Sequence, residues 1–437
     1  MKIVYLAAGA AGMYCGSCLH DNTLTAAMRE LGEDMALVPT YTPIRTDEVD
    51  QSEKLVLFGG INVYLQEKLS LFRHTPRFID RWFDAPWLLN LVSKLPFSVQ
   101  AEKLGGLTVS MLLGEAGHIR KEVDKLVDWL VAEGPPDVVH LSNALLIGMA
   151  REIERRLNRP VVCSLSGEDI FLDKLLPKFQ RQAQDAMRER AGDVTAFVAL
   201  NNYYADYMAD YMAFDRSRVR VIPHGLKLAG HGKRQPRAAG EPFTIGYFAR
   251  ICPEKGLHHL CEAFRLLAGD ASLPPLRLRA AGYLGAGDRK YLAELQAKVA
   301  SWGLADRFEY QGELSRDAKI AFLQSLDVMS VPTVYRESKG LSILEALANA
   351  VPVVLPRHGT FPDVVADTAG GVLHEPENPA DLARVLKELI LAPTRGEELG
   401  HRGQQAIHSR YNDRLMAERH RDFYREVSEQ HKAGRKT

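Results

Sequence analysis

The sequence predicts an α/β protein of two domains, each a parallel sheet covered by helices. Three observations carry this. Short apolar runs alternate with helical stretches; a segment rich in Gly, Lys, Arg and Pro from 224 to 241 interrupts them; and the same rhythm resumes beyond it. A chain of 437 residues is long enough for two or three ordinary domains and buries full cores without staples.

In the first domain Ile3 to Ala8 reads as a buried strand and Thr23 to Leu31 as the following helix, stopped by Gly32. Further strands are expected at Val138 to Leu141, Val161 to Leu165, Ala196 to Leu200 and Val219 to Ile222. In the second domain strands are expected at Phe243–Tyr247, Leu276–Ala281, Phe308–Gly312, Val328–Val331 and Val351–Leu355. Helices are expected at His258–Leu267, Lys290–Ala300, Ile320–Ser325 and Leu341–Ala348. The boundaries are therefore 1–223 for the first domain, 224–241 for a linker and 242–410 for the second. A closing helix at about 411–430, clearest from Arg414 to Val427, is expected to cross back onto the first domain. A ligand is expected between the domains, near the carboxyl ends of the strands.

Composition narrows the function. Hydrophobic residues make up 46% and charged residues 25%, an ordinary globular balance. Lysine plus arginine equals aspartate plus glutamate at 55 each, so no bulk field points to nucleic acid, and any bound anion is held by local groups. Five cysteines are too few and too scattered for a secreted disulfide framework. The apolar start, Met1 to Gly12, reads as a first strand entering a loop rather than a signal peptide. No run of about 18 apolar residues exists, which makes the cytoplasm the default compartment.

The chemistry concentrates in two loops. Glu337-Ser338-Lys339-Gly340-Leu341-Ser342-Ile343-Leu344-Glu345 follows a strand and opens a helix, so backbone N–H groups and the positive helix end face a ligand, which suits phosphate. Gly340 permits close backbone approach. Glu337 precedes the helix and Glu345 lies within it, so one carboxylate can accept from sugar hydroxyls and the other from a ribose diol. Taken alone, the pair fits equally well a surface acid near a helix start plus a buried structural glutamate, with no ligand. Arg250-Ile251-Cys252-Pro253-Glu254-Lys255-Gly256 follows the second domain's first strand, and two cations five apart can clamp a diphosphate.

Arg-x-x-Pro-Glu-Lys-Gly, the Glu-x7-Glu pair, and Ile222-Pro223-His224-Gly225 before the linker together resemble glycosyltransferase family 4, the retaining group-1 glycosyltransferases. The resemblance is strongest from Val219 to Leu373 and weaker before residue 140. It implies the GT-B fold, two Rossmann-like domains facing each other across a cleft, with the first on the acceptor side and the second binding the donor. It implies transfer of a sugar from a UDP-, GDP- or ADP-sugar to a hydroxyl acceptor, by same-face attack, without a protein nucleophile, metal or other required cofactor. No Asp-x-Asp motif is present.

Carried over residue by residue, the resemblance makes Arg250 and Lys255 diphosphate-binding cations. Glu337 would hold the donor sugar and Glu345 the ribose; Gly340, Leu341 and Ser342 would present backbone to the phosphates. Glu337, Arg250 and Lys255 are the catalytic expectation. Gly16 stands where a glycine of the first-strand loop faces the diphosphate, and Gln311 to Leu314 where a loop borders the base. The chain departs from the family pattern twice. Ser166, followed by Gly167-Glu168-Asp169, replaces a histidine beside the donor sugar, and Lys339 replaces an aromatic residue. Ser166, Glu168, Asp169 and His140 are the candidates on the acceptor or donor-sugar side.

Three signals stay open at this level. Cys15-Gly16-Ser17-Cys18 has metal or redox spacing without a second ligand pair, and otherwise reads as small thiols in a glycine loop. His140 faces either a ligand or the core. Leu69 to Leu95 mixes aromatics with arginines, which fits helices packed on the acceptor domain or on a second subunit, and also peripheral contact with the inner membrane face. Rival functions are a nucleotide-sugar epimerase of the same fold, a sugar-nucleotide-binding protein without catalysis, and a dinucleotide oxidoreductase using Gly9-Ala10-Ala11-Gly12. The last lacks the full glycine spacing and a ribose acid.

Overall fold

The computed structural model describes residues 1–9, 16–54, 101–232, 234–235, 237–238 and 240–434. The chain divides into two compact units, Met1–Pro223 with Met416–Thr437, and His224–Leu415.

The first unit holds a six-stranded parallel sheet in the order β2-β1-β3-β4-β5-β6. Its strands are β1 (Lys2–Ala7), β2 (Asp34–Pro39), β3 (Val138–Leu141), β4 (Val161–Leu165), β5 (Ala196–Ala199) and β6 (Val219–Val221). Alternation sends successive side chains to opposite faces. Ile3, Tyr5 and Ala7 join one core with Val138, Val162 and Val198, while Val4 and Leu6 join another with Val139, Leu141, Val161 and Cys163. Helix α1 (Gly16–Glu30) covers the first face through Leu24, Ala27 and Met28. So does the closing helix of the chain, Asp413–Ala433, through Met416, Ala417, Phe423, Tyr424 and Val427. Each of the large ones among them, such as Leu24, Met28 and Met416, contributes about 1.5–3 kcal/mol before entropy is counted.

Two further helices matter for this unit's candidates. Helix α2 (Glu168–Leu172) follows β4, and α3 (Asn202–Tyr211) follows β5, its first turn capped by Asn201, whose side chain accepts from Tyr204 N.

The second unit has another six-stranded parallel sheet, β12-β11-β10-β7-β8-β9. The strands are β7 (Phe243–Phe248), β8 (Leu276–Ala281), β9 (Phe308–Tyr310), β10 (Val328–Ser330), β11 (Val353–Pro356) and β12 (Gly371–His374). The order reverses direction between β7 and β10, where Ile245 pairs with Val328 and Gly246 with Met329. Doubly wound sheets bind ligands at that switch, beyond the carboxyl ends of the strands. Helix α4 (Leu257–Ala268) follows β7; α5 (Arg316–Gln324) precedes β10; α6 (Leu341–Ala348) follows it.

The 224–241 segment carries no helix or strand among its described residues, apart from a bridge between Leu226 and Asn412. Leu69 to Leu95 and Cys15 lie outside the described residues. No helix among the described residues is long and apolar enough to cross a membrane.

Candidate functional site

The two loops singled out in the sequence leave adjacent strands at the switch point of the second unit. After β7 the chain passes Arg250, makes a single 3-10 turn at Pro253–Lys255, and enters α4 through Gly256. After β10 it passes two bends to Gly340 and enters α6. The loops are zipped by Val334 N–H donating to Glu254 O at 2.9 Å. They approach so closely that a β-carbon on Gly256, which has φ +74°, would sit 1.7 Å from Pro332 O. Gly340 has φ +68°, so glycine at this helix entry serves the turn itself; a β-carbon there would meet only ordinary contacts, the nearest at 3.4 Å.

Lys255 and Glu337 meet across these loops. Lys255 Nζ lies 2.5 Å from Glu337 Oε2, and Tyr335 Oη donates to the same oxygen at 3.1 Å. The backbone N–H groups of Ser338 and Lys339 donate to Glu337 Oε1, each at 3.2 Å. The ammonium also lies 5.1 Å from the centroid of the Tyr335 ring. Burial alone would raise the Glu337 carboxyl. The Lys255 charge and hydrogen bond, with the Lys339 N–H and the Tyr335 hydroxyl, outweigh it and hold the group down to about 2. Burial would lower the Lys255 ammonium, and the Glu337 charge raises it above its ordinary value. Glu337 is therefore a charged acceptor rather than a proton carrier near neutrality.

Arg250 stands at the same loop. Its Nε donates to Cys252 Sγ at 3.2 Å, Glu254 lies 4.0 Å from its Nη2, and the side chain remains 42% exposed. The Tyr247 hydroxyl donates to Arg250 O at 3.1 Å, fixing the backbone beneath it.

Glu345 is buried within α6, with Leu341 and Ser342 half-buried in the first turn. Its partner is Lys319 of α5, whose Nζ lies 2.6 Å from Glu345 Oε1. Sequence reasoning missed Lys319. The available signal was a lysine on the face of α5 that also carries Phe322 and Leu323. It also missed Tyr335 and the burial of His224. Burial, then the charges of Lys339 and Lys319, push the His224 imidazole down to about 3, so all three share one neighbourhood. Gln311 to Leu314 sits at the end of β9, where Gly282 N–H donates to Gly312 O at 2.8 Å.

In the first unit Gly16 is exposed and forms the first residue of α1, seven residues before the expected helix start. Glu168 accepts from Ala144 N at 2.9 Å and from Ser166 N at 2.8 Å, lies 3.1 Å from Tyr204 Oη, and is 3% exposed. It ties the ends of β3 and β4 together and holds the backbone of Ser166. Ser166 Oγ makes a long 3.4 Å contact to Glu168. Asp169 is half-buried and accepts from Tyr204 Oη at 2.6 Å. Burial, with the neighbouring Glu168 charge, pushes its carboxyl up from the usual range.

His140 takes the core reading of the two that the sequence left open. It is fully buried, with Nδ1 2.6 Å from Tyr424 Oη and Nε2 2.8 Å from Ser164 Oγ. Both ring nitrogens are used inside the core under the closing helix, so His140 faces no ligand. Of the candidate cysteine pair, Cys18 is buried. Among the described residues no group of three His, Cys, Asp or Glu side chains is arranged to hold a metal ion.

The comparisons with known proteins divide as the fold does. Residues 232–406 match the family model described as glycosyl transferases group 1, and residues 23–225 match the glycosyl transferase 4-like domain. A 2-deoxystreptamine glucosyltransferase of Streptomyces kanamyceticus is 36% identical over 181 residues, 41% of this chain and 44% of that one. An alpha-maltose-1-phosphate synthase of Mycobacterium tuberculosis is 28% identical over 243 residues, 51% of this chain and 60% of the other. The chain thus spans about half the length of these curated relatives. Among solved structures, sucrose-phosphate synthase from Thermosynechococcus elongatus superposes with a TM-score of 0.70 at 16% identity, covering 98% and 99% of the two chains. Anabaena HepE, solved in complex with UDP, gives 0.65 at 16% identity, covering 97% and 99%.

Proposed function

We propose, since the chain belongs to the group 1 glycosyltransferases and has the two Rossmann-like halves of the GT-B fold, that it transfers a hexosyl group from a nucleoside diphosphate sugar to a hydroxyl acceptor with retention. The observation that carries this reading is the Lys255–Glu337 pair held at the β7/β10 switch point, beside Arg250 and the start of α6.

Arg250, Lys255 and the N–H groups of Gly340, Leu341 and Ser342 take the diphosphate and the charge that grows on it as the glycosidic bond breaks. Glu337, kept ionised, accepts hydrogen bonds from the donor sugar's hydroxyls. Glu345 accepts from the ribose diol, and Gly16 offers backbone to the diphosphate. The acceptor oxygen forms the new bond to the anomeric carbon on the face the leaving group vacates. The bond to the β-phosphate oxygen breaks with its electron pair, and that oxygen takes the acceptor's proton. No protein carboxylate is cast as a nucleophile. Ser166 and Asp169 are assigned to the acceptor or donor-sugar side, with Glu168 holding their loop. UDP-, GDP- and ADP-sugars are the donor candidates, and the cytoplasm is the expected compartment.

A thermal-shift series with UDP, GDP, ADP and NAD on the parent protein, Arg250→Ala and Glu345→Ala tests the donor site. Stabilisation by one nucleoside diphosphate, weakened in both variants, is expected. A shift with NAD alone, or one that neither variant alters, overturns it. Acceptor-dependent release of that diphosphate then separates transfer from epimerisation and from silent binding.

A further inference from the structure

We propose that Lys319 is a positioning residue that sets the Glu345 carboxylate for the ribose diol of the nucleotide. The inference rests on the donor-site reading above and adds to it a residue on a different helix.

Lys319 lies on the core-facing side of α5, among Ile320, Phe322 and Leu323, and is 6% exposed. Lysine is almost never buried this far unless its charge is paired. Its partner is Glu345 Oε1 at 2.6 Å, and Glu345 is 4% exposed. Stability does not account for such an arrangement, because a buried ion pair commonly does no better than apolar side chains of equal volume. What the pair supplies is geometry. With Oε1 fixed against an ammonium, the rotamer of Glu345 is set before any ligand arrives.

A second contact between the same helices repeats the pattern one turn on. Asn349 Nδ2 donates to Glu345 O at 2.9 Å, and Asn349 Oδ1 accepts from Gln324 Nε2 of α5 at 3.1 Å. Helix α5 thus holds α6 at Glu345 and again at Asn349. The carboxylate lies about 6 Å along the axis from the first residue of α6, which is where phosphate is expected.

The test measures binding of the nucleoside diphosphate that stabilises the parent protein most, its 2′-deoxy analogue, and inorganic pyrophosphate. The variants are Lys319→Met, Lys319→Gln, Lys319→Arg and Glu345→Gln, each with its melting temperature. Lys319→Met is expected to weaken the ribonucleotide about tenfold, the loss of one charged hydrogen-bond arrangement. Binding of the 2′-deoxy analogue should change much less, and that of pyrophosphate not at all; Lys319→Arg should restore most of the affinity. If Lys319→Met does not fold, Lys319→Gln carries the same expectation. Equal losses for all three probes, or none for the ribonucleotide, overturn the proposal. Loss in Glu345→Gln without loss in the Lys319 variants removes Lys319 and keeps the donor site. A parent protein that binds no nucleoside diphosphate removes the donor site itself.

Discussion

Lys255 Nζ and Glu337 Oε2 stand 2.5 Å apart although 82 residues separate them in the chain. Glu337 is 7% exposed, so removing either partner leaves a poorly solvated charge, while removing both does not. Glu337→Gln and Lys255→Met should each destabilise the protein by about 3 kcal/mol, and the double variant by less than the sum. Denaturant unfolding of the four proteins measures the coupling. Additive losses would show that the contact contributes nothing. All three variants are expected to lose transfer, since each removes a group assigned to the donor.

Tyr335 touches both members of that pair, through its hydroxyl on Glu337 and its ring beneath Lys255. Tyr335→Phe keeps the ring and should cost about 1 kcal/mol, the value of one hydrogen bond. Tyr335→Ala removes the cation–π contact as well and should lower kcat/KM further than Tyr335→Phe does. Identical kinetics for the two variants would deny the ring any role.

The sheets were the most legible part of this chain. Val138–Leu141 and Val161–Leu165 lie where mostly apolar runs place them, because strands covered on both faces read that way, and Leu276–Ala281 lies where leucine and arginine alternate. Gly371–His374 is only four residues with little apolar contrast, and it escaped notice. Helix α1 begins at Gly16, where its polar first turns disguise it. His20, Asp21 and Asn22 are buried, and Asp21 accepts from Tyr5 Oη at 2.7 Å. The loops that carry Arg250, Lys255 and Glu337 were legible because each carries its charges locally. Lys319 was not, since its meaning lies wholly in a contact with another helix, and His140 misled because a polar side chain at a strand end looks the same whether it faces solvent or core.

Gly256 links the loops after β7 and β10 sterically. Gly256→Ala would place a methyl group 1.7 Å from Pro332 O, at a φ that L residues rarely adopt. The loop carrying Tyr335 and Glu337 must then move away from Lys255. Transfer should fall by about tenfold or more, as misplacement by an ångström commonly costs, with the second unit still folded. Full activity in this variant would show that the spacing of the loops does not matter.

Glu168 and Ser166 are neighbours with opposite expectations. Glu168→Ala strips partners from the buried N–H of Ala144 and from Ser166 N, and should cost about 1–3 kcal/mol. Ser166→Ala loses only a 3.4 Å contact and should leave the melting temperature nearly unchanged. Its effect is expected in transfer kinetics instead. A large loss of stability in Ser166→Ala would make the serine structural and withdraw it from the site.

His420 carries the clearest pH dependence. Its Nδ1 lies 2.9 Å from Met416 O, one turn back in the closing helix, and its Nε2 meets no hydrogen-bond partner among the described residues. The His140 and His20 rings each lie 6.2 Å away and the Tyr424 ring 5.8 Å away. Burial pushes its imidazole down to about 4, with the Met416 carbonyl opposing. The folded protein therefore holds it neutral where the unfolded chain, with an ordinary value near 6.5, takes up a proton. Stability from this group is complete above about pH 6.5 and is lost as pH falls toward about 4. His420→Met removes the titration and the unsatisfied nitrogen while keeping an apolar side chain of similar size. The variant should gain stability relative to the parent as pH is lowered from 7.5 to 4.5, by an amount on the order of 3 kcal/mol at the acid end. Parallel stability curves for the two proteins across that range would mean that the ring is protonated, or solvated, in the folded state.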